Sequence, residues 1–227
     1  MQDFQRFESQ NGNTRFALKW SDRYPCLFDR TSDTPFDRHY IFHTGWAARI
    51  LSKTKPKEHI DISSSLYFTT LVSAFIPIKF YDYRPPGIKL TSLEVGFADL
   101  LSLPFPDGSL DSLSCMHVIE HVGLGRYGDP INPDADLKAI SELKRVLAPH
   151  GNLLFVVPIG RPKIMFNAHR IYSYKQIISY YDDFELLQFA LIPDDVKTDG
   201  LIENASPELA DQQEYGCGCF WFKRKIK

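Results

Sequence analysis

From His59 onward the chain alternates short apolar runs with stretches whose apolar residues recur every three or four positions. The runs at 59–62, 78–82, 92–96, 112–117, 152–157, 184–191 and 215–223 predict strands, being short, apolar and bounded by turn-forming residues. Segments 66–75, 133–147 and 173–181 predict helices. The middle one is the best marked. Asn132 is a capping residue, Pro133 suits the first helical position, and Asp134 and Asp136 complement the positive helix end. Leu137, Ile140, Leu143 and Leu147 form its stripe, and Gly151 lies just past its end. Ser173-Tyr-Lys-Gln176 reads as a capping box. Ahead of these, His39–Ser52 places Tyr40, Trp46, Ala47, Ile50 and Leu51 on one helical face, and Pro56 stops it. Strands alternating with helices predict an α/β, doubly wound, mostly parallel sheet of seven strands, covered on both faces. The last two strands have no predicted helix between them and suit an antiparallel edge hairpin. Residues 1–38 are polar and turn-rich, which predicts an arm or lid ahead of one domain over 39–227.

Composition narrows the possibilities. With 227 residues, 44% hydrophobic and 14% aromatic, the chain builds a large core and is not disordered. Its 26 basic and 28 acidic residues give a net charge of -2, which argues against nucleic acid as a partner. The one basic cluster, Lys223-Arg-Lys-Ile-Lys227, reads as a solvated tail. No apolar run reaches the ~18 residues of a membrane span. The N-terminus has no apolar signal core, so a cytoplasmic location is expected. Cys26, Cys115, Cys217 and Cys219 are read as reduced thiols. Cys217 and Cys219 sit two apart in a strand, so they point the same way and do not bond each other. As a pair they offer too few ligands for structural zinc.

The chemistry-bearing residues follow the strands. Ser112–Val122 runs as an apolar strand straight into His117, Glu120 and His121, and delivery of such residues at a strand's carboxyl end is how an open α/β sheet builds a site. Asp61, Asp82 and Asp99 each lie at or just past the end of a strand-like run. Asp82 is either a ribose ligand or the opening of the Arg84-Pro-Pro-Gly87 turn. His117-Val-Ile-Glu-His121 also fits the H-x-x-E-H pattern of a zinc peptidase class. That chemistry needs both histidines on one helical face, and His117 ends a strand, so the match is read as chance.

Taken together, Asp61, Asp82, Asp99-Leu-Leu-Ser-Leu-Pro-Phe-Pro-Asp107, Cys115-Met-His-Val-Ile-Glu-His121 and Glu142-Leu-Lys-Arg-Val-Leu-Ala-Pro-His-Gly151 follow one another in an order that resembles class I S-adenosylmethionine-dependent methyltransferases. The resemblance covers roughly residues 58–223. His117-Val-Ile-Glu-His-Val-Gly-Leu-Gly-Arg-Tyr-Gly-Asp-Pro130 and Phe166-Asn-Ala-His-Arg170 are similar, more narrowly, to a small methyltransferase-like family of unknown function. The resemblance implies S-adenosylmethionine as cofactor, with Asp82 on its ribose hydroxyls, Asp99 facing the adenine amino group and Leu100 packing on the ring. Asp61 would hold the loop after the first strand, with Ser63 and Ser64 in that loop, and His117 would reach the methionine end.

The sequence departs from the family pattern Asp-x-Gly-x-Gly-x-Gly, carrying Asp61-Ile-Ser-Ser-Ser-Leu-Tyr67 instead. Glycine serves there because the backbone turns tightly and approaches the ligand closely. The Ser63 hydroxyl is expected to contact the cofactor carboxylate. For a hydroxyl acceptor a general base near neutral pH is needed. His121 is the first choice and His169 the second, with Glu120 orienting either ring or accepting the acceptor proton. Arg126, Tyr127, Asn167 and Arg170 are the expected contacts to a small-molecule or glycan-like acceptor, with ion pairing to nearby acids as the alternative for Arg126 and Arg170. The glycines of 123–130 suit a mobile cover or simple turns. A divalent ion on Glu120, His121 and His169 is not expected. Two functions remain: an active methyltransferase, or a degenerate member that senses cofactor or serves as a scaffold.

Overall fold

The computed structural model describes residues 1–11, 15–195 and 200–226; residues 12–14 of the expected arm, residues 196–199 and Lys227 of the expected tail lie outside the described residues. The chain divides into two compact units, Met1–Phe36 and Asp37–Lys227. The first holds α1 (Gln2–Gln10), which buries no residue, and a short 3₁₀ turn at Trp20–Asp22.

The second unit opens with α2 (Arg38–Thr54), where Asp37 accepts a hydrogen bond from the Tyr40 amide as N-cap. Its inward face is His43, Trp46, Ala47, Ile50 and Leu51. There follow β1 (His59–Ile62), α3 (Leu66–Val72), β2 (Ile78–Asp82), β3 (Leu93–Phe97), β4 (Leu110–Met116), α4 (Ala135–Val146) and β5 (Leu147–Ile159). Then come β6 (Lys163–Met165), β7 (His169–Ile171), α5 (Tyr174–Tyr180), β8 (Phe184–Ile192), β9 (Ile202–Glu203), α6 (Pro207–Asp211) and β10 (Gly216–Arg224).

The main sheet has the order β3-β2-β1-β4-β5-β10-β8-β9. β1 through β5 are parallel to their neighbours, and β10 runs antiparallel to both β5 and β8. The fold class is therefore as expected, with every predicted strand present. Two details differ. β8 and β10 form the antiparallel hairpin expected at that end of the sheet, but α6, which was not predicted, lies between them in the chain, and the two-residue β9 adds an eighth strand outside β8. The basic terminus is also not a free tail at its start: Lys223 and Arg224 pair with Glu185 and Phe184 on β8. The α4 helix begins later than predicted. Asp134 is its N-cap, and the Asn132 side chain instead accepts from the Asp134 amide, which leaves Pro133 outside the helix. The α5 capping box forms as read, with Ser173 and Gln176 exchanging both bonds.

Side chains of β4 and β5 are buried on both faces, as a parallel sheet covered on both sides requires. On one face Leu143 and Val146 of α4 and Ile177 of α5 pack with Leu113, Phe155, Phe220 and Phe222. On the other, Trp46, Ile50 and Leu51 of α2 and Phe68 and Val72 of α3 pack with Met116, Val156, Cys217 and Cys219. Cys217 and Cys219 thus point the same way, and all four cysteines are free.

Two polar clamps fix the loops around the strand ends. Arg145 on α4 pairs with Glu142 and donates to the Leu103 and Phe105 carbonyls, while Glu142 accepts from the Leu103 amide. The segment after Asp99 is thereby held to α4. Arg170, expected to touch an acceptor, is instead buried. It donates to the Val122 and Pro133 carbonyls and pairs with Asp136 at 3.5 Å. Its donors are committed to joining β7, the turn after β4 and the start of α4. Arg170→Ala removes the cation while Asp136 stays buried, so destabilisation of ~3–5 kcal/mol is expected in urea unfolding. A change under ~1 kcal/mol, the size of an exposed pair, would contradict the clamp.

Candidate functional site

A cavity of about 330 Å³ opens at the carboxyl ends of β1–β4, within the size range of small-molecule sites. The chain runs outward from β1 through β2 to β3, then returns to the other side of β1 as β4, and such a reversal is where open α/β sheets bind ligands. Ser63, Asp82, Asp99, Leu100, His117, His121 and Tyr127 line the cavity. Seven residues named from the sequence are thus brought together.

The acidic pair is placed by backbone geometry. Asp82 Oδ1 accepts from the Arg84 amide at 2.6 Å, and Asp99 Oδ1 accepts from the Leu101 amide at 2.8 Å. These local bonds aim each carboxylate and engage one of its oxygens. Ser63 follows β1 with φ 55, in the left-handed region that a Cβ disfavours by about 1–2 kcal/mol. Its amide donates to the Tyr81 carbonyl at 2.8 Å and its hydroxyl to the same oxygen at 3.3 Å. The backbone therefore keeps the turn that glycine usually serves, with serine in its place.

Asp61 and Ser64 lie beneath the cavity and do not line it. Asp61 is fully buried, accepting from the Ser64 amide and from the Ser114 hydroxyl. The Ser64 hydroxyl accepts from the Met116 amide at 3.0 Å. Asp61 thus holds the loop, as expected, from beneath the cavity lining. Burial pushes its carboxyl up to about 7, against the lowering effect of the bonds from Ser114 and Ser64.

At the end of β4, His117 adopts φ 59 and Glu120 and His121 follow on a single 3₁₀ turn, so the two histidines share no helical face and the peptidase pattern is excluded. His117 Nδ1 lies 2.7 Å from Glu120 Oε1. Glu120 is completely buried. Burial alone would raise its carboxyl, and His117 and His121 outweigh burial to hold it below the ordinary value. Glu120 therefore sits behind His117 and does not line the cavity. His121 Nδ1 donates to the Ala168 carbonyl at 2.6 Å, which leaves Nε2 as the lone-pair nitrogen. Arg126 donates to the same carbonyl and stacks on Tyr127.

His169 is on β7, outside the cavity lining, tilted on Tyr215 at 4.8 Å and 6.4 Å from the His121 ring. Burial, with His121 and Arg126 nearby, holds its pKa below the ordinary value. Arg126 and Asn167 are exposed and lie outside the lining. The 123–130 loop is knitted by Asp129, which accepts from the amides of Gly123 and Tyr127. Gly123 has φ +79, and a Cβ there would collide with the Asn132 carbonyl; turn geometry accounts for it. Arg84 lies 4.7 Å from the Tyr127 ring and links this loop to the end of β2.

The sequence predicts α2 as a helix but assigns it no part in the site. Tyr40 lines the cavity, and the rings of His39, Tyr40 and His43 lie 5.1–5.5 Å from that of His117. The signal was the four-residue spacing of His39 and His43, which puts both on one helical face.

Residues 105–196 match the model of a family described as "Caenorhabditis protein of unknown function, DUF268". An uncharacterized protein of Methanocaldococcus jannaschii is 30% identical over 99 residues, which are 42% of this chain and 37% of that protein. Among solved structures, an N-methyltransferase, NodS, from Bradyrhizobium japonicum, in complex with S-adenosylhomocysteine, is similar at TM-score 0.57 and 16% identity, covering 98% of both chains. A Burkholderia thailandensis 1,6-didemethyltoxoflavin-N1-methyltransferase, also with bound S-adenosylhomocysteine, has TM-score 0.58 and 12% identity over 82% of this chain and 79% of that one. The [4+2]-cyclase SpnF is similar at TM-score 0.50 and 14% identity, covering 80% and 82%. At these identities the likeness establishes the Rossmann-like methyltransferase fold, and the cyclase illustrates that the fold alone does not give the reaction.

Asp61 generates a pH prediction. Its folded pKa of about 7 lies above the ordinary 3.8, so the folded chain holds a proton that the unfolded chain has lost. The contribution to stability is full below about pH 4 and is lost as pH rises through about 7. Asp61→Asn carries no charge, so the stability of the wild type should fall relative to that of Asp61→Asn across this window in urea unfolding. Parallel curves would contradict the assignment.

Proposed function

We propose that the cavity binds S-adenosylmethionine and that the chain transfers its methyl group to a small or glycan-like hydroxylated acceptor. The observation that carries this reading is the pair of carboxylates, Asp82 and Asp99, aimed into one cavity at the strand-order reversal. In this reading Asp82 accepts from the ribose hydroxyls, Asp99 from the adenine amino group, and Leu100 packs on the ring. Ser63 and His117 border the methionine end. The methyl group sits on an activated sulfonium, so the protein's task is to align the acceptor and take its proton. His121 Nε2 is the nitrogen free to do so, since Nδ1 is fixed by Ala168. His169 stands behind it as a second base, and Arg126, Tyr127 and Asn167 bound the acceptor side.

A second reading, cofactor binding without turnover, is favoured by one observation: the glycine positions of the loop after β1 carry Ser63, Ser65 and Tyr67, with Ser63 held at φ 55. Calorimetric titration of the full chain with S-adenosylmethionine and S-adenosylhomocysteine tests the shared element. Both ligands should bind, and Asp82→Ala should weaken S-adenosylhomocysteine by ~1.5–3 kcal/mol, the range for hydrogen bonds to a charged group. No binding at millimolar ligand would remove both readings. A screen of hydroxylated acceptors, followed by S-adenosylhomocysteine release, separates them. His121→Ala should lower turnover ~10²–10⁴-fold at unchanged S-adenosylhomocysteine affinity; full activity in that variant would reject His121 as base.

A further inference from the structure

Beside the cavity, α2 and β10 bring a second set of groups against His117. One ligating atom each of His39, His117 and Cys217 lies within 4.8 Å of the other two. It is the one such cluster of three His, Cys, Asp or Glu residues among the described residues, and it does not involve Glu120, His121 or His169. Hydrogen bonding leaves one ligating nitrogen of the group open, while His39 meets the Tyr215 backbone and Cys217 the Cys219 thiol. His117 Nδ1 is occupied by Glu120, and its Nε2 is buried with no partner. Both ring nitrogens of His43, one helical turn after His39, are buried with no partner as well. Unsatisfied buried polar atoms are costly and rare, and here they gather in one place.

We propose that His39, His117 and Cys217 form a binding site for a zinc-class divalent cation. Two imidazoles and a thiolate suit zinc, and three protein ligands leave a fourth position for water or another donor. A tetrahedral ion needs its ligand atoms roughly 3.5 Å apart, so closure by about an ångström brings the three onto one ion. Glu120 completes the arrangement. It accepts from His117 Nδ1, which fixes the tautomer with the Nε2 lone pair free, the usual carboxylate–histidine–metal relay. Charge is consistent too: a divalent cation balances the Cys217 thiolate and the buried Glu120 carboxylate. Cys217 would lose its thiol proton to solvent on binding, as any thiolate ligand does. The site ties α2 to the ends of β4 and β10, and it stands independently of what the neighbouring cavity takes.

The test uses the full chain, stripped with chelator and titrated with Zn²⁺ against a chromogenic competitor and with Co²⁺ by absorbance. One equivalent should bind, and Co²⁺ should give a thiolate charge-transfer band with tetrahedral visible bands. Cys217→Ser should abolish that band, while Cys26→Ser, at an exposed cysteine outside the cluster, should leave it. Glu120→Gln should weaken Zn²⁺ by ~10–100-fold, and His39→Ala by at least ~100-fold. Because Cys217 lies in the core, thermal melting gives a second readout: Zn²⁺ should raise the wild-type Tm, and His39→Ala should lose that gain. Substoichiometric binding, or binding and Tm gain unchanged in His39→Ala, would overturn the proposal.

Discussion

One buried line of hydrogen bonds crosses the seam between β1 and β4, and the cavity's position follows from it. His59 Nδ1 meets the Ser112 hydroxyl and Nε2 the Ser114 hydroxyl, each at 2.8 Å, and Ser114 donates to Asp61. When Asp61 is ionised, every hydrogen in the line has one direction: Ser112 donates to His59, His59 Nε2 to Ser114, and Ser114 to Asp61. Burial holds His59 down at about 3, so it stays a neutral relay. The seam is where the strand order reverses, and a slip of β4 by one residue would point the two serines to the opposite face. Polar specificity here supplements apolar packing: the line fixes register where the apolar side chains on both faces would tolerate several.

The elements that were legible in the sequence are those specified locally. Strand runs, the α5 capping box and the three acids at strand ends each depend on a few consecutive residues, and each appears where the pattern put it. What was not legible depends on pairing at a distance. β10 enters between β5 and β8 because its apolar residues serve both faces of a buried strand, a property indistinguishable in sequence from that of an edge strand beside a covering helix. Arg170 stayed open between an acceptor contact and an ion pair, because an arginine in a loop string gives no sign of its partners. Those partners, Val122, Pro133 and Asp136, come from another part of the chain. His39 and His43 were passed over because the apolar stripe of α2 explained the helix without them.

The serines after β1 bear on both readings of the cavity. Glycine permits φ near +55 at no steric cost, whereas Ser63 holds it against a penalty. The hydrogen bonds from its amide and hydroxyl to the Tyr81 carbonyl offset part of that strain. Ser64 goes further, binding Asp61 through its amide and the Met116 amide through its hydroxyl. The loop is thus tied to β2 and β4 by side chains that glycine does not possess. Lost glycines in this chain do not amount to a collapsed turn; the turn is retained by other bonds, at the cost of a Cβ facing the cavity.

Two carboxylates are wholly buried below the cavity, and the protein neutralises them differently. Asp61 has serine hydroxyl and backbone donors but no cation, and its carboxyl is driven toward the protonated form. Glu120 has His117 at 2.7 Å and His121 Nε2 at 3.7 Å, and is driven the other way. The carboxylate form of Glu120 is thereby favoured behind His117, and its hydrogen bond orients that ring. His117 lines the cavity on one side and meets the rings of α2 on the other. Its substitution would disturb both places at once and distinguish nothing. Asp82, which belongs only to the cavity, and His39, which belongs only to the cluster, report on the two sites separately.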